Sequence, residues 1–414
     1  MAKSAVPTKR KPPNIAPRGS AVDPDLTRAM DLLMALLAIE GGSCQETAVA
    51  EFITKQLRRG GASAASIRHD SAHRRSPFGG AIGNLIFKLP ARGPGMADQP
   101  RRLLMAHMDT VPICVGTRPV RRGGQIVSAL KDRGLGADDR SGVAVVLGAA
   151  LEVLKRKCHP PLTFLFTVQE EIGLYGARCA SVGLLGRPRY AFNFDGGPAS
   201  KMSIGATGGY RMDIAVEGLA SHAGGAPEQG VSAIAIASLA VADLTRNGWH
   251  GLIERDGRRG TSNVGVIQGG AATNVVCDRV EIKAEARSHD PKFRQRIIDE
   301  IQVAFDRAAA EVASAAGQRG RVKIEGRLDY EAFRLGDDEP CVLMAEAAIR
   351  DAGGQPLRAI SNGGLDANWL SARGIPTVTL GAGQLGQHTL GEALDVAEFE
   401  LACRIGLRLA TGSA

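Results

Sequence analysis

A chain of 414 residues, 44% hydrophobic and 23% charged, has room for two or three domains and a large core, which excludes a disordered or fibrous protein. The formal charge of +8 invites a nucleic-acid reading, yet five of the excess charges (Lys3, Lys9, Arg10, Lys11 and Arg18) fall in one acid-free, proline-rich stretch. Residues 1–22 therefore read as a disordered basic tail, and nucleic acid is the weaker choice of partner.

No apolar segment follows the basic residues, so the tail is not a secretory signal. The longest apolar stretch, residues 231–244, is too short to span a bilayer, so no membrane association is expected. Seven scattered cysteines without a Cys-x-x-Cys pair indicate free thiols in a reducing compartment, hence a cytoplasmic protein.

Residues 24–60 predict two helices, the second starting from the capping-box pattern Ser43-Cys-Gln-Glu46. Residues 83–89 read as a strand. After a loop rich in proline and glycine, residues 102–106 form a short apolar strand ending on His107-Met-Asp109. Leu135-Gly-Ala-Asp-Asp-Arg-Ser-Gly142 places Asp138 and Asp139 between a glycine turn and a segment, 143–154, with apolar residues at helical spacing. At a helix N-terminus the unpaired amides favour negative charge; a plain Asp cap is the commoner use of that position and a metal ligand the rarer one.

The run 161–168 is apolar enough for a strand buried on both faces and ends on Gln169-Glu170-Glu171. Residues 190–194 repeat the pattern and end on Asp195-Gly-Gly197; residues 375–380 form a further strand, followed in its loop by His388. A helix over 396–409 closes the chain. Between them, residues 207–332 change character: strand 211–216, helix 231–244, strands 263–267 and 279–287, helix 292–313 and strand 321–328, the βαββαβ order of a ferredoxin-like split.

Repeatedly, an apolar strand delivers His, Asp or Glu at its carboxyl end, the edge on which open α/β sheets build sites. His107 and Asp109, two apart on extended chain, leave on the same side, so an imidazole can bind metal while the carboxylate supports it. Glu170 and Glu171 point opposite ways, so one can ligate while the other faces a bound water. Together His107, Asp138, Glu171, Asp195 and His388 make a mixed N/O donor set suited to two zinc ions, or to cobalt or manganese.

The motifs Ala106-His-Met-Asp-Thr-Val-Pro112, Gly136-Ala-Asp-Asp-Arg-Ser-Gly142, Thr167-Val-Gln-Glu-Glu-Ile-Gly173 and Asp195-Gly-Gly197 resemble those of the M20 family of metallopeptidases, and within it the peptidase T-like branch. Ser221-His222-Ala-Gly, Thr273-Asn-Val-Val276, Glu285-Ala-Arg-Ser288 and Gly363-Gly-Leu-Asp-Ala-Asn368 extend the resemblance over residues 25–410. One departure is Cys44, which stands where members of that family usually carry glycine.

The resemblance implies an α/β protein: a zinc-peptidase-like catalytic domain with a central, mostly parallel sheet (residues 23–206 and 333–414), plus an inserted ferredoxin-like α+β lid and dimerisation domain (207–332). It implies two Zn²⁺ per chain, one held by His107, Asp138 and Asp195 and the other by Asp138, Glu171 and His388. Asp109 would orient His107, Glu170 would activate a metal-bridging water as general base, and the Asp138–Asp139 peptide would be cis. His222 would stabilise the oxyanion, reaching into the partner's site, while Arg287 and Asn274 would meet a substrate carboxylate. The expected protein is a homodimeric aminopeptidase acting on di- and tripeptides, with a deacylase of N-acyl amino acids or a carboxypeptidase as the alternatives.

Overall fold

The computed structural model describes residues 23–412, so the tail expected over 1–22 lies outside the described residues. Four apolar strands form the middle of a nine-stranded sheet: Leu162–Thr167, Arg102–His107, Tyr190–Phe194 and Thr377–Leu380, in that spatial order and mutually parallel. Every residue of these four is buried. Their carboxyl ends therefore lie along one edge, as the sequence expects of strands covered on both faces.

Outside this centre the pairing changes. Leu85–Leu89 joins Leu162–Thr167 antiparallel, and Lys201–Ala206 joins Thr377–Leu380 antiparallel. The sheet is thus parallel at its centre and mixed overall. Alternation distributes side chains between two cores. Leu104 and Ala106 pack beneath the helices Leu26–Leu37, Ala137–Leu154 and Val396–Thr411, whereas Leu103 and Met105 pack with Leu165, Leu370 and Ile375 on the other face.

A second sheet of five antiparallel strands occupies the middle of the chain, with its own core of Met212, Ile214, Ile236, Ile282, Phe293, Ile301 and Phe305. Its helices are Ala233–Arg246 and Pro291–Glu311. The βαββαβ order holds, with one addition: Gly251–Arg255 forms a hairpin with Arg258–Gly269 and becomes an edge strand. The sequence reading misses it because glycine and charged residues dominate its five positions. Asn368 spans the two crossings between the sheets, its amide donating to the carbonyls of Thr207 (2.9 Å) and Glu331 (2.8 Å).

Candidate metal centre

His107 is the last residue of a fully buried strand, so its imidazole emerges at the sheet edge with its backbone already fixed. Its Nδ1 lies 3.5 Å from the Asp109 carboxylate, and its Nε2 lies 3.2 Å from Asp138 Oδ1. Asp109 does more than face His107. It accepts the Ser43 hydroxyl (2.6 Å) and the amides of Glu170 (3.0 Å) and Glu171 (3.2 Å). One buried carboxylate thereby joins the His107 strand to the Glu170–Glu171 turn.

The two adjacent aspartates divide the roles weighed for them. Asp139 takes the capping one: its carboxylate accepts the Gly142 amide, the His107 amide and the Gln384 side-chain amide. Asp138 is left free of such bonds. Both are non-helical (φ −83°, ψ 103° and φ −122°, ψ 37°), and the peptide between them is cis, as the resemblance implies. Asp138 Oδ1 faces His107, and its Oδ2 lies 3.4 Å from His388 Nε2.

His388 comes from the loop between the short strands Gln384–Leu385 and Ala393–Asp395, and its side chain is 52% exposed. Its Nε2 lies 3.0 Å from Glu171. Single donor atoms of His107, Asp138 and Asp195 all fall within 4.8 Å of one another, and the same holds for Asp138, Glu171 and His388 and for His107, Glu170 and Glu171. The five candidate ligands and Glu170 are thus brought together from five separate segments.

His222, Asn274 and Arg287 belong to the second sheet's region and are not among these triplets. His222 is exposed, and its Nδ1 accepts the amides of Gly224 (3.2 Å) and Gly225 (2.8 Å). In the neutral ring that bonding assigns the proton to Nε2, which is left as an outward donor. The Asn274 carbonyl accepts the Ala223 amide at 2.9 Å, so the two candidates share one turn pair. Arg287 makes a two-pronged pair with Glu285 (3.0 and 2.9 Å), which occupies part of the fork expected to meet a substrate.

The capping box expected at Ser43–Glu46 does not form. The helix runs Thr47–Arg59 without a side-chain cap, Ser43 is bonded to Asp109, and Glu46 accepts the amides of Cys44 (2.9 Å) and Gln169 (3.0 Å). Both residues of the motif serve the site. Cys44 has φ 71°, in the left-handed region where glycine is at ease. Sequence reasoning also misses Asp366, which accepts the Thr167 hydroxyl at 2.5 Å, and Glu392, which accepts the amides of Gly136 and Asp138. Asp366 lies within a motif already noted, but without a strand end to mark it.

Burial opposes charge on His107, but bonding to Asp109 and Asp138 outweighs it and holds the imidazole well above its usual pKa. Burial likewise pushes Asp138 up, and the two histidines bring it below the usual range. The surrounding carboxyls are pushed the other way. Burial and then Asp138 take Asp195 to about 7; burial takes Asp366 to about 6; burial and Asp109 take Glu46 to about 7. Glu170 is raised well above 4.5 by burial, against the pull of His107 and with the help of Asp195. The protein gathers more negative charge here than its own cations relieve.

A family model described as Peptidase family M20/M25/M40 matches residues 103–412. The chain is 34% identical over 327 residues to the uncharacterized protein YqjE of Bacillus subtilis (strain 168), covering 78% of this chain and 82% of that one. Among solved structures, an aminopeptidase PepT from Bacillus cereus ATCC 10987 superposes with a TM-score of 0.80 at 31% identity, over 94% of this chain and 98% of that one. A tripeptidase from Staphylococcus aureus subsp. aureus mu50 superposes with a TM-score of 0.83 at 27% identity, over 94% and 98%.

Proposed function

This chain belongs to peptidase family M20/M25/M40, and from that premise we propose that it is a two-metal aminopeptidase that cleaves the amide bond of di- and tripeptides. That it is a hydrolytic metallopeptidase follows from its relatives. The observation that carries the finer reading is Asp138: one carboxylate with His107 on one oxygen and His388 on the other, and with Asp195 and Glu171 completing a donor triplet on each side.

The donor chemistry fits a pair of borderline divalent ions such as zinc, cobalt or manganese. His107, Asp138 and Asp195 would hold one, and Asp138, Glu171 and His388 the other. The raised carboxyls are further support, since a cation would relieve the repulsion that burial amplifies. When bound, such a pair supplies a water of lowered pKa and polarises the scissile carbonyl.

Glu170 takes the proton of the attacking water and returns it to the leaving amine. Its amide is anchored on Asp109, so the base and the orienter of His107 share one support. His222 offers its Nε2–H to the developing oxyanion, and Arg287 with Asn274 meets the substrate carboxylate. A panel of di-, tri- and N-acetylated substrates, assayed with and without chelator, tests this reading. Chelator-sensitive release of an N-terminal residue is expected; cleavage confined to N-acetylated amino acids would make the protein a deacylase.

The carboxyl shifts fix the sign of a stability effect. A carboxyl raised on folding binds more protons in the native state, so its stabilisation is complete at low pH and is lost as pH rises through the folded value. Asp366, Asp195 and Glu46 place that window between about 4 and about 7, and His388, raised to about 10 by its bonds to Asp138 and Glu171, continues the trend above it. Chelated protein therefore melts lower as pH rises. Added zinc should raise the melting temperature most at the alkaline end. A metal-free melting temperature that climbs with pH over this window would contradict the assignment.

Residues 207–332 serve, on this reading, as a lid and dimerisation domain. Arg258–Gly269 is paired with a strand on its outer side only over 258–262, and the Val264 amide donates to His250 Nε2 (3.2 Å), so residues 265–269 are left as an edge that no strand covers among the described residues, with Ile267 52% exposed. Such an edge suits extension of the sheet across a two-fold axis. If His222 then acts in the partner's site, reassembling Glu170→Ala with His222→Ala protein restores turnover that neither variant has. A mixture no more active than its components would place His222 in its own subunit or out of the reaction. The cysteines are all free, and no helix among the described residues is long and apolar enough to cross a membrane. The free cysteines are the support for the cytoplasmic setting we propose.

A further inference from the structure

Glu392 is a buried carboxylate to which the reaction above gives no task. It ends the loop that carries His388 and immediately precedes the strand Ala393–Asp395, which is fixed by pairing with Gln125–Ser128. From that anchor its side chain reaches the other half of the site. Oε2 accepts the Gly136 amide at 2.7 Å and the Cys114 thiol at 3.1 Å, and Oε1 accepts the Asp138 amide at 3.0 Å.

His388 needs such an anchor more than the other ligands do. His107 ends a buried strand, and Asp195 directly follows one. His388 instead stands half-exposed in a loop with φ 61°, between Gly386 and Gly391. The loop's internal bonds run from Thr389 to Gly386, from Gly391 to Thr389 and from the Glu392 amide to the Thr389 carbonyl, and none of these reaches the Asp138 turn. Packing supports the same junction: a Cβ at Gly134 would come within 2.9 Å of the Thr389 carbonyl and 2.8 Å of Cys114 Sγ.

We propose that Glu392 is a positioning residue that ties the His388 loop to the Asp138 turn and thereby sets the spacing of the Asp138–Glu171–His388 triplet. The inference rests on the two-metal reading. A carboxylate is required because both amides point at it. In glutamine one oxygen becomes an NH₂ group that faces an N–H donor.

The test is a calorimetric titration of Mn²⁺ alone into chelated full-length protein. His388→Ala and Asp195→Asn identify the two binding steps of the native chain. Glu392→Gln should weaken the step lost in His388→Ala by about 10–100-fold and leave the other within about threefold, the range seen when a ligand loses its supporting partner. Excess metal should then restore turnover with KM unchanged, which a general loss of structure would not allow. Equal weakening of both steps, or of neither, overturns the role of Glu392 and leaves the two-metal reading standing. A native chain that binds fewer than two ions overturns both. Should Glu392→Gln fail to fold, Glu392→Asp, which keeps the charge but shortens the reach, must show the same selective loss, and an even loss overturns the proposal.

Discussion

If Glu170 is the general base proposed above, Glu170→Ala is expected to lower kcat for peptide turnover by about 10²–10⁴-fold, the usual contribution of such a group. The ligand triplets that omit it, His107–Asp138–Asp195 and Asp138–Glu171–His388, are untouched, so the variant should keep its metal. The position is built for the task. Gln169, with φ 55°, turns the chain out of the strand Leu162–Thr167, and the Glu170 amide is then held on Asp109 at 3.0 Å. Burial raises the carboxyl well above its ordinary value, which makes it a stronger proton acceptor once it is ionised. Steady-state kinetics with metal analysis of the same sample checks both halves. A variant that turns over normally would remove Glu170 from the role of base.

Asp138→Ala has the second large effect, and its signature differs. Asp138 is the one residue shared by His107–Asp138–Asp195 and Asp138–Glu171–His388, so its loss leaves each with two donors. It also leaves His107 and His388 without the carboxylate that lies 3.2 and 3.4 Å from them. Metal content should fall towards zero, activity should fall with it, and zinc should no longer raise the melting temperature. Asp139→Asn is the informative neighbour. Its carboxylate is committed to the amides of Gly142 and His107 and to Gln384, so Asn, whose NH₂ must face one of these donors, should show its loss first in stability, by about 1–3 kcal/mol for a buried donor left unpaired. A metallated, active Asp138→Ala protein would contradict the shared-ligand role.

Much of this site is legible in the sequence because sheet geometry does the converging. Once the strands ending at His107, Glu170 and Asp195 are read as buried and parallel, their carboxyl ends must share an edge. Motif order then supplies the loop residues Asp138 and His388. Roles set by side chains crossing between segments are not legible in the same way. Ser43 and Glu46 have the spacing of a capping box, and the local pattern gives no hint that Asp109 and Gln169 will compete for them. Glu392 and Asp366 act on residues more than a hundred positions away, and neither sits at the end of an apolar run. The strands Pro119–Arg122, Gln125–Ser128, Gln384–Leu385 and Ala393–Asp395 escape notice for a related reason. Each is at most four residues long, and the two local pairs they form join in one small sheet only through the long-range pairing of Ala393–Asp395 with Gln125–Ser128.

Zinc-edge anomalous scattering from crystals of the zinc-loaded protein tests the shared role of Asp138 most directly. Two peaks per chain are expected, one bounded by His107 and Asp195, the other by Glu171 and His388, with the Asp138 carboxylate contacting both. A single peak, or a pair in which Asp138 contacts only one ion, would contradict it.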